Sequence, residues 1–285
     1  MTTTLRPTGP LQQAGDGTKA RSYEICVNGR PVGAVEVATD PGFDHRAGIV
    51  DALRIDEPDR RRGRATVAVL AAEEVLRGWG CDRSQVFVPD GAEAARHLME
   101  SLGYTERSLN MAKDVAPERT ESGGYAELPG GRVSRPMTGA EFEEWRAHDI
   151  LAYVRTWTDR GVPADQARAK MEQSHRENLP QGLATPGTTF AVVLHEGTVV
   201  GHVWVAPREV TPGRPGAYVY DVAVVEEARG RGHGRALMTL AEQIADRDGH
   251  TLLGLHVFAD NTPAVRLYDA VGYRVTQRNY VRPLL

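Results

Sequence analysis

Cysteine is nearly absent, with Cys26 and Cys81 the only two in 285 residues. Two thiols cannot frame a disulfide-stapled fold or a four-thiolate metal cluster, and they point to a reducing compartment, the cytoplasm. Long apolar runs are missing too. No uninterrupted stretch approaches the ~20 residues a membrane span requires, and the opening MTTTLRPTGPLQQAGDGTKA lacks the apolar core of an export signal, so neither membrane insertion nor secretion is expected. Strong charge of one sign is also absent. The 34 basic and 38 acidic residues leave a formal net charge of −4, too near balance for a general nucleic-acid binder. The nine histidines show no metal-ligand spacing, and no metal is expected. Lysine occurs only at Lys19, Lys113 and Lys170, so the abundance of arginine reads as coding bias and proves nothing about phosphate.

What is present is the composition of a globular protein, 41% hydrophobic and 25% charged, at a length that suits two domains. Residues 1–20 read as a disordered tail, because Thr, Gly, Pro and Gln bury too little apolar area to offset ordering. From Tyr23, two β-rich runs flank Asn28-Gly29, a strong hairpin signal. A strand at 48–55, a helix with Ala65, Val69, Ala72 and Leu76 on one face, a short β-run at 85–88 and a helix at 93–102 follow. The Pro/Gly/Glu-rich stretch 116–131 is a linker between domains at 21–115 and 132–285. The second domain opens with amphipathic helices at 139–160 and 164–178, then a hairpin turning at Glu196-Gly197, a β-run ending in DVAVV, a loop and helix, a strand, a helix and a closing hairpin or bent strand. Strands alternating with helices make both halves α/β.

The halves repeat one another. Each sends a β-run into an Arg/Gly-rich loop that opens a helix, and each later reaches a Gly-Tyr pair: Arg60 to Gly103 and Arg229 to Gly272 are both 43 positions apart. In the second half, Gly230, Gly232 and Gly234 alternate with Arg229, Arg231, His233 and Arg235. Bare backbone entering a helix N-terminus converges N–H groups on an anion, and arginine adds forked donors. No Gly-Lys-Ser/Thr is present, so this is not a P-loop, and Leu237 breaks a dinucleotide fingerprint.

The pattern R-x-x-G-x-G/A, here Arg229, Gly232 and Gly234, resembles the GCN5-related N-acetyltransferase (GNAT) superfamily. So does N-x-x-A-x-x-L-Y-x-x-x-G-F/Y, here Asn261, Ala264, Leu267, Tyr268, Gly272 and Tyr273. The resemblance implies two tandem GNAT-like domains, each a mixed twisted sheet flanked by helices, and an acyl-CoA-dependent N-acyltransferase. It implies that Arg229–Arg235 grips the diphosphate of coenzyme A and that Val222, Ala223 and Val224 line the pantetheine arm. Within it the N–H of Val224 polarises the thioester carbonyl, and Asn261 and Ala264 belong to the cofactor site. Tyr268 becomes the candidate proton donor to the departing thiolate.

For the general base the residues leave two candidates: Asp221, a carboxylate in an apolar β-run, and His256, in the strand before Asn261. Trp145, Tyr153, Trp157, Trp204, Tyr218 and Tyr220 could line an acceptor pocket, but their spacing favours a core role for most. The first half keeps Arg60, Gly63 and Ala65, yet Ala92 stands in place of the Asn and Met99 in place of the Tyr, so it reads as a truncated, silent copy. The expected partners are acetyl-CoA or another acyl-CoA and a small-molecule amine. A phosphopantetheinyl acyl carrier protein as donor, and a non-catalytic coenzyme A binder, stay open as alternatives, as do monomer and homodimer.

Overall fold

A computed structural model describes residues 2–40, 46–116 and 128–284. Most of the expected linker, 117–127, lies outside the described residues. The chain forms two compact units: Met1–Ser108 with Gln277–Leu285, and Leu109–Thr276.

In unit 1, β1 (Thr3–Pro7) and β2 (Gln12–Gln13) lie along β3 (Lys19–Val27), which pairs through a hairpin with β4 (Arg30–Thr39). Asn28 and Gly29, at φ 49° and 82°, supply the two left-handed positions of the turn. β5 (Ala47–Ile55) is antiparallel to β4 and parallel to β6 (Arg83–Pro89). Between β5 and β6, α1 (Arg64–Gly78) buries Ala68, Val69, Ala72 and Leu76. Gly48 lets that helix approach, since a Cβ there would lie 2.3 Å from Leu76 Cδ2. α2 (Glu93–Ser101) and the start of β7 (Thr105–Asp114) complete the segment.

Two expectations are corrected here. The first twenty residues are not a disordered tail: Thr3 to Pro7 pair with Val27 to Tyr23, and Leu5 packs against the core. The edge of β3 offers unpaired backbone groups, and a ladder satisfies them whatever the side chains, which composition alone does not reveal. The second concerns the end of the chain. Gln277–Leu285 belongs to unit 1, where Gln277 to Pro283 pair antiparallel with Pro89 to Arg83. Tyr280 and Leu284 fill the unit 1 cores. Arg282 Nη1 lies 3.1 and 3.2 Å from the carboxylate oxygens of Glu73, to which the Tyr104 hydroxyl also donates at 2.9 Å.

Unit 2 begins with Leu109–Asp114 of β7. Then come β8 (Arg132–Pro136), α3 (Gly139–Thr158), α4 (Ala164–Asn178), β9 (Thr189–His195), β10 (Thr198–Thr211), β11 (Arg214–Val224), α5 (His233–Arg247), β12 (Leu252–Phe258), α6 (Thr262–Ala270) and β13 (Arg274–Pro283), whose last residues pass to unit 1. Strands β8 to β11 run antiparallel in order, and β12 joins β11 in parallel. α3 starts at a reciprocal cap, in which Thr138 accepts from the N–H of Glu141 while the Glu141 carboxylate accepts from that of Thr138. One core lies under α5, around Leu237, Leu240, Ile244, Leu253 and Leu255. A second lies under α3, where Phe142, Trp145, Phe190 and Trp204 meet.

Glu73 is 1% exposed and holds two partners at once. Glu73→Ala leaves Arg282 without its carboxylate and Tyr104 with Ser84 Oγ alone, and is expected to cost about 1–3 kcal/mol, read as a lowered urea midpoint at unchanged slope.

Candidate active site

The site grows from a parting of strands. β11 and β12 register only from Ala217↔Leu253 to Val219↔Leu255, although β11 continues to Val224 and β12 to Phe258. Past Val219, β11 keeps β10 on one edge, and no described ladder partner occupies the other. Val225 N–H donates to Val200 O on β10, and successive N–H groups of an extended strand alternate between edges. The N–H of Val224 therefore faces the open edge.

The loop after β11 continues this row of donors. A single 3₁₀ turn, Glu226–Ala228, leads to Arg229, whose Nε reaches back to Val224 O at 3.4 Å. Gly230 and Gly232, at φ 75° and 81°, bend the backbone into the start of α5. A Cβ at Gly230 would meet nothing within 4 Å, and one at Gly232 would meet Arg132 Nη2 at 3.6 Å. Among the described residues, no backbone N–H from Gly230 to Arg235 has an acceptor; the ladder of α5 begins with Ala236 N–H to Gly232 O at 3.3 Å. The loop is thus a concave array of amide dipoles at a positive helix end.

The candidates divide by orientation. His233 contributes backbone only: its ring is buried and lies 2.8 Å, at Nδ1, from Arg132 Nε, and burial beside Arg132 holds it neutral by lowering its pKa. Arg132 also bonds Arg231 O at 2.7 Å, which braces the loop. Gly234 serves packing, since a Cβ there would sit 2.9 Å from Leu267 Cδ2. Asn261 caps α6 by accepting from Ala264 N–H at 3.3 Å, and Ala264 packs on the core. Tyr268 is 7% exposed, and its hydroxyl bonds no described residue. Burial, with the charge of Asp221 adding to it, pushes the phenol up to about 12, so it stays protonated at neutral pH.

Asp221 is held from two sides. A bulge opposite Trp204/Val205 brings Tyr220 and Asp221 onto one face of β11. Trp145 Nε1 and His202 Nε2 each lie 2.8 Å from Asp221 Oδ2. Burial alone would raise this carboxyl, but His202, Trp145 and the Val222 N–H hold it below its ordinary value. Its stabilising bonds are therefore present at neutral pH and are lost as acid protonates it. Behind it, Asp149 Oδ2 lies 2.8 Å from His175 Nε2; there burial raises the carboxyl despite the histidine. Trp145 is wedged among Phe142, Phe190, Trp204 and His175 at centroid distances of 4.7–5.5 Å. His256 is exposed on β12, edge-on to Phe258 at 5.4 Å.

Sequence reading alone misses His202, Asp149 and His175. The signal for His202 was the one that marked Asp221, a polar residue in an apolar β-run; only the β10–β11 register makes them neighbours.

Unit 1 holds the matching loop. Arg60 Nε reaches Ile55 O at 2.9 Å, as Arg229 reaches Val224 O, and Gly63 caps α1 at φ 70° as Gly232 caps α5. A sequence profile described as the Acetyltransferase (GNAT) family matches residues 5–104 and 143–273. The chain belongs to that family. GNAT proteins are acetyltransferases, and this one is a tandem member, with a matched region in each half. A mycothiol acetyltransferase of Brachybacterium faecium is 29% identical over 232 residues, which are 79% of this chain and 65% of that protein. A GCN5-related N-acetyltransferase from Sphaerobacter thermophilus shares the GNAT fold at TM-score 0.56 and 21% identity, over 92% of this chain and 80% of the other. A tandem GNAT protein from the clavulanic acid biosynthesis pathway aligns at TM-score 0.50 and 19% identity, over 96% and 85%.

At two positions of the second signature the GNAT repeats differ in kind. Ala92 caps α2 without a side-chain bond where Asn261 caps α6 with one, and Met99 is buried where Tyr268 stands.

Trp145→Phe removes one donor from Asp221. The carboxyl is expected to titrate at higher pH, followed by carbon NMR of the side chain, and stability to fall by about 1–3 kcal/mol from the lost bond.

Proposed function

We propose that unit 2 transfers an acyl group, acetyl first among candidates, from coenzyme A to the amine of a small molecule, and that the first half is catalytically silent. The observation that carries this is the set of backbone donors without a described acceptor from Gly230 to Arg235, on a helix N-terminus that follows the open edge of β11 at Val224. A diphosphate suits such donors in charge, and an amide-bearing arm suits an open strand edge.

Bound there, acetyl-CoA supplies an activated acyl carbon in a thioester. The amides of Gly230 to Arg235 bind the diphosphate, with Arg231 and Arg235 as supplementary donors. The open edge of β11 orients the arm, and Val224 N–H bonds the acyl oxygen where negative charge develops. Tyr268 holds the proton that the departing sulfur takes, and a phenol kept protonated by burial suits that task. The aromatic wedge around Trp145 excludes water from one side of the acceptor.

The acceptor is assigned no further than a small-molecule amine: the likeness at 29% identity does not transfer the substrate in the relative's name. A carrier-protein donor would use the β11 edge without the loop.

Three measurements test the reading. Calorimetry with coenzyme A should give saturable binding, weakened on the order of tenfold or more in Gly232→Val, whose φ of 81° a branched residue adopts only with strain. Thiol release from acetyl-CoA should require an amine. Tyr268→Phe should lower turnover by roughly 10²–10⁴-fold at unchanged melting temperature. Absence of coenzyme A binding overturns the reading, and release only from a loaded carrier protein replaces its donor.

A further inference from the structure

His202 and Asp221 form a pair that strand pairing does not require. Resting on the acyl transfer proposed above, we infer that His202 accepts the proton the acceptor amine must lose before it attacks, with Asp221 as its positioning residue.

The argument starts from the shared oxygen. Asp221 Oδ2 accepts from Trp145 Nε1 and faces His202 Nε2, both at 2.8 Å. A carboxylate already taking an indole N–H needs a proton on the nitrogen it meets, so neutral His202 carries its hydrogen on Nε2 and its lone pair on Nδ1. No described residue bonds Nδ1. The same two bonds that stabilise the Asp221 anion make it a poor proton acceptor in its own right, which removes it as a base while leaving it the means to stabilise an imidazolium. Trp145 cannot rotate out of its aromatic surroundings, so the carboxylate is fixed and the imidazole with it.

Position supports the role. His202 is paired in register with Ala223, the middle residue of the segment along the open edge, and Asp221 lies two residues beyond the last β11–β12 pair. The charge of Asp221 reaches Tyr268. The ionisable groups around His202 are Asp221 from β11, Asp149 from α3, His175 behind Asp149 on α4, and Tyr268 from α6. His256, the rival from sequence, is exposed on β12.

In the step itself, an N–H bond of the ammonium breaks and its proton moves to His202 Nδ1. The freed nitrogen pair forms the C–N bond, and the C–S bond breaks with its pair on sulfur, which takes the Tyr268 proton. The second proton shed by nitrogen returns to the Tyr268 oxygen through solvent, and His202 gives its own to water. Ammonium and thioester have become amide, thiol and one released proton.

The test compares two amines with acetyl-CoA: tyramine, protonated near neutral pH, and methoxyamine, already neutral there. His202→Gln keeps a donor toward Asp221 but has no base. It is expected to lower kcat/KM for tyramine by about 10²–10⁴-fold while changing that for methoxyamine by less than about tenfold. The tyramine defect should shrink as pH rises and solvent deprotonates the amine. The isosteric Asp221→Asn, which disturbs the tautomer, should show the same selectivity with a smaller loss. Equal losses for both amines, or none, overturn the role of His202 and leave acyl transfer standing. Failure of the wild-type protein to bind coenzyme A by calorimetry overturns the transfer reading itself.

Discussion

The parting of β11 from β12 governs the rest of unit 2. A strand that loses its neighbour presents a row of backbone groups open to water or to a ligand's polar atoms. β11 loses that neighbour after Val219 and is not covered again before α5 begins. Loop and helix add to these groups, with N–H groups from Gly230 to Arg235 that no described acceptor meets. The open edge also explains the arginines: Arg132 and Arg229 bond loop and strand carbonyls, which steadies the backbone while leaving its donors unspent.

Against this backbone feature stands a side-chain one. Asp221 is tolerated in an apolar strand because Trp145 and His202 reach it, and Trp145 is there because Phe142, Phe190 and Trp204 give its ring a slot. Packing thus decides electrostatics: the aromatic core fixes an indole, the indole fixes a carboxylate, and the carboxylate fixes an imidazole. α3 carries the indole, and unit 1 has no helix before its first hairpin among the described residues. The first half therefore cannot build this arrangement even though it keeps the loop.

Local signals were well expressed in the sequence. Asn28-Gly29 and Glu196-Gly197 turn where their left-handed positions demand, and the helix predicted over 164–178 is Ala164–Asn178. The Arg/Gly loops were legible because glycine spacing is a backbone property. What escaped was carried by pairing between distant residues. The edge strand Thr3–Pro7 has no β-rich composition and exists because β3 needs a neighbour. His202 and Asp221 stand 19 residues apart and become partners only through the register of a hairpin with a bulge. His175 and Asp149 meet through the packing of α3 on α4, which helical periodicity does not predict.

The return of Gln277–Leu285 to unit 1 gives the chain a particular order of assembly. During synthesis, the first hundred residues emerge without the strand that contributes Tyr280 and Leu284 to their cores, and Glu73 meets Arg282 only after all of unit 2 is made. Removal of Gln277–Leu285 would therefore strip unit 1, built otherwise from Met1–Ser108, of a strand and of two core side chains, Tyr280 and Leu284.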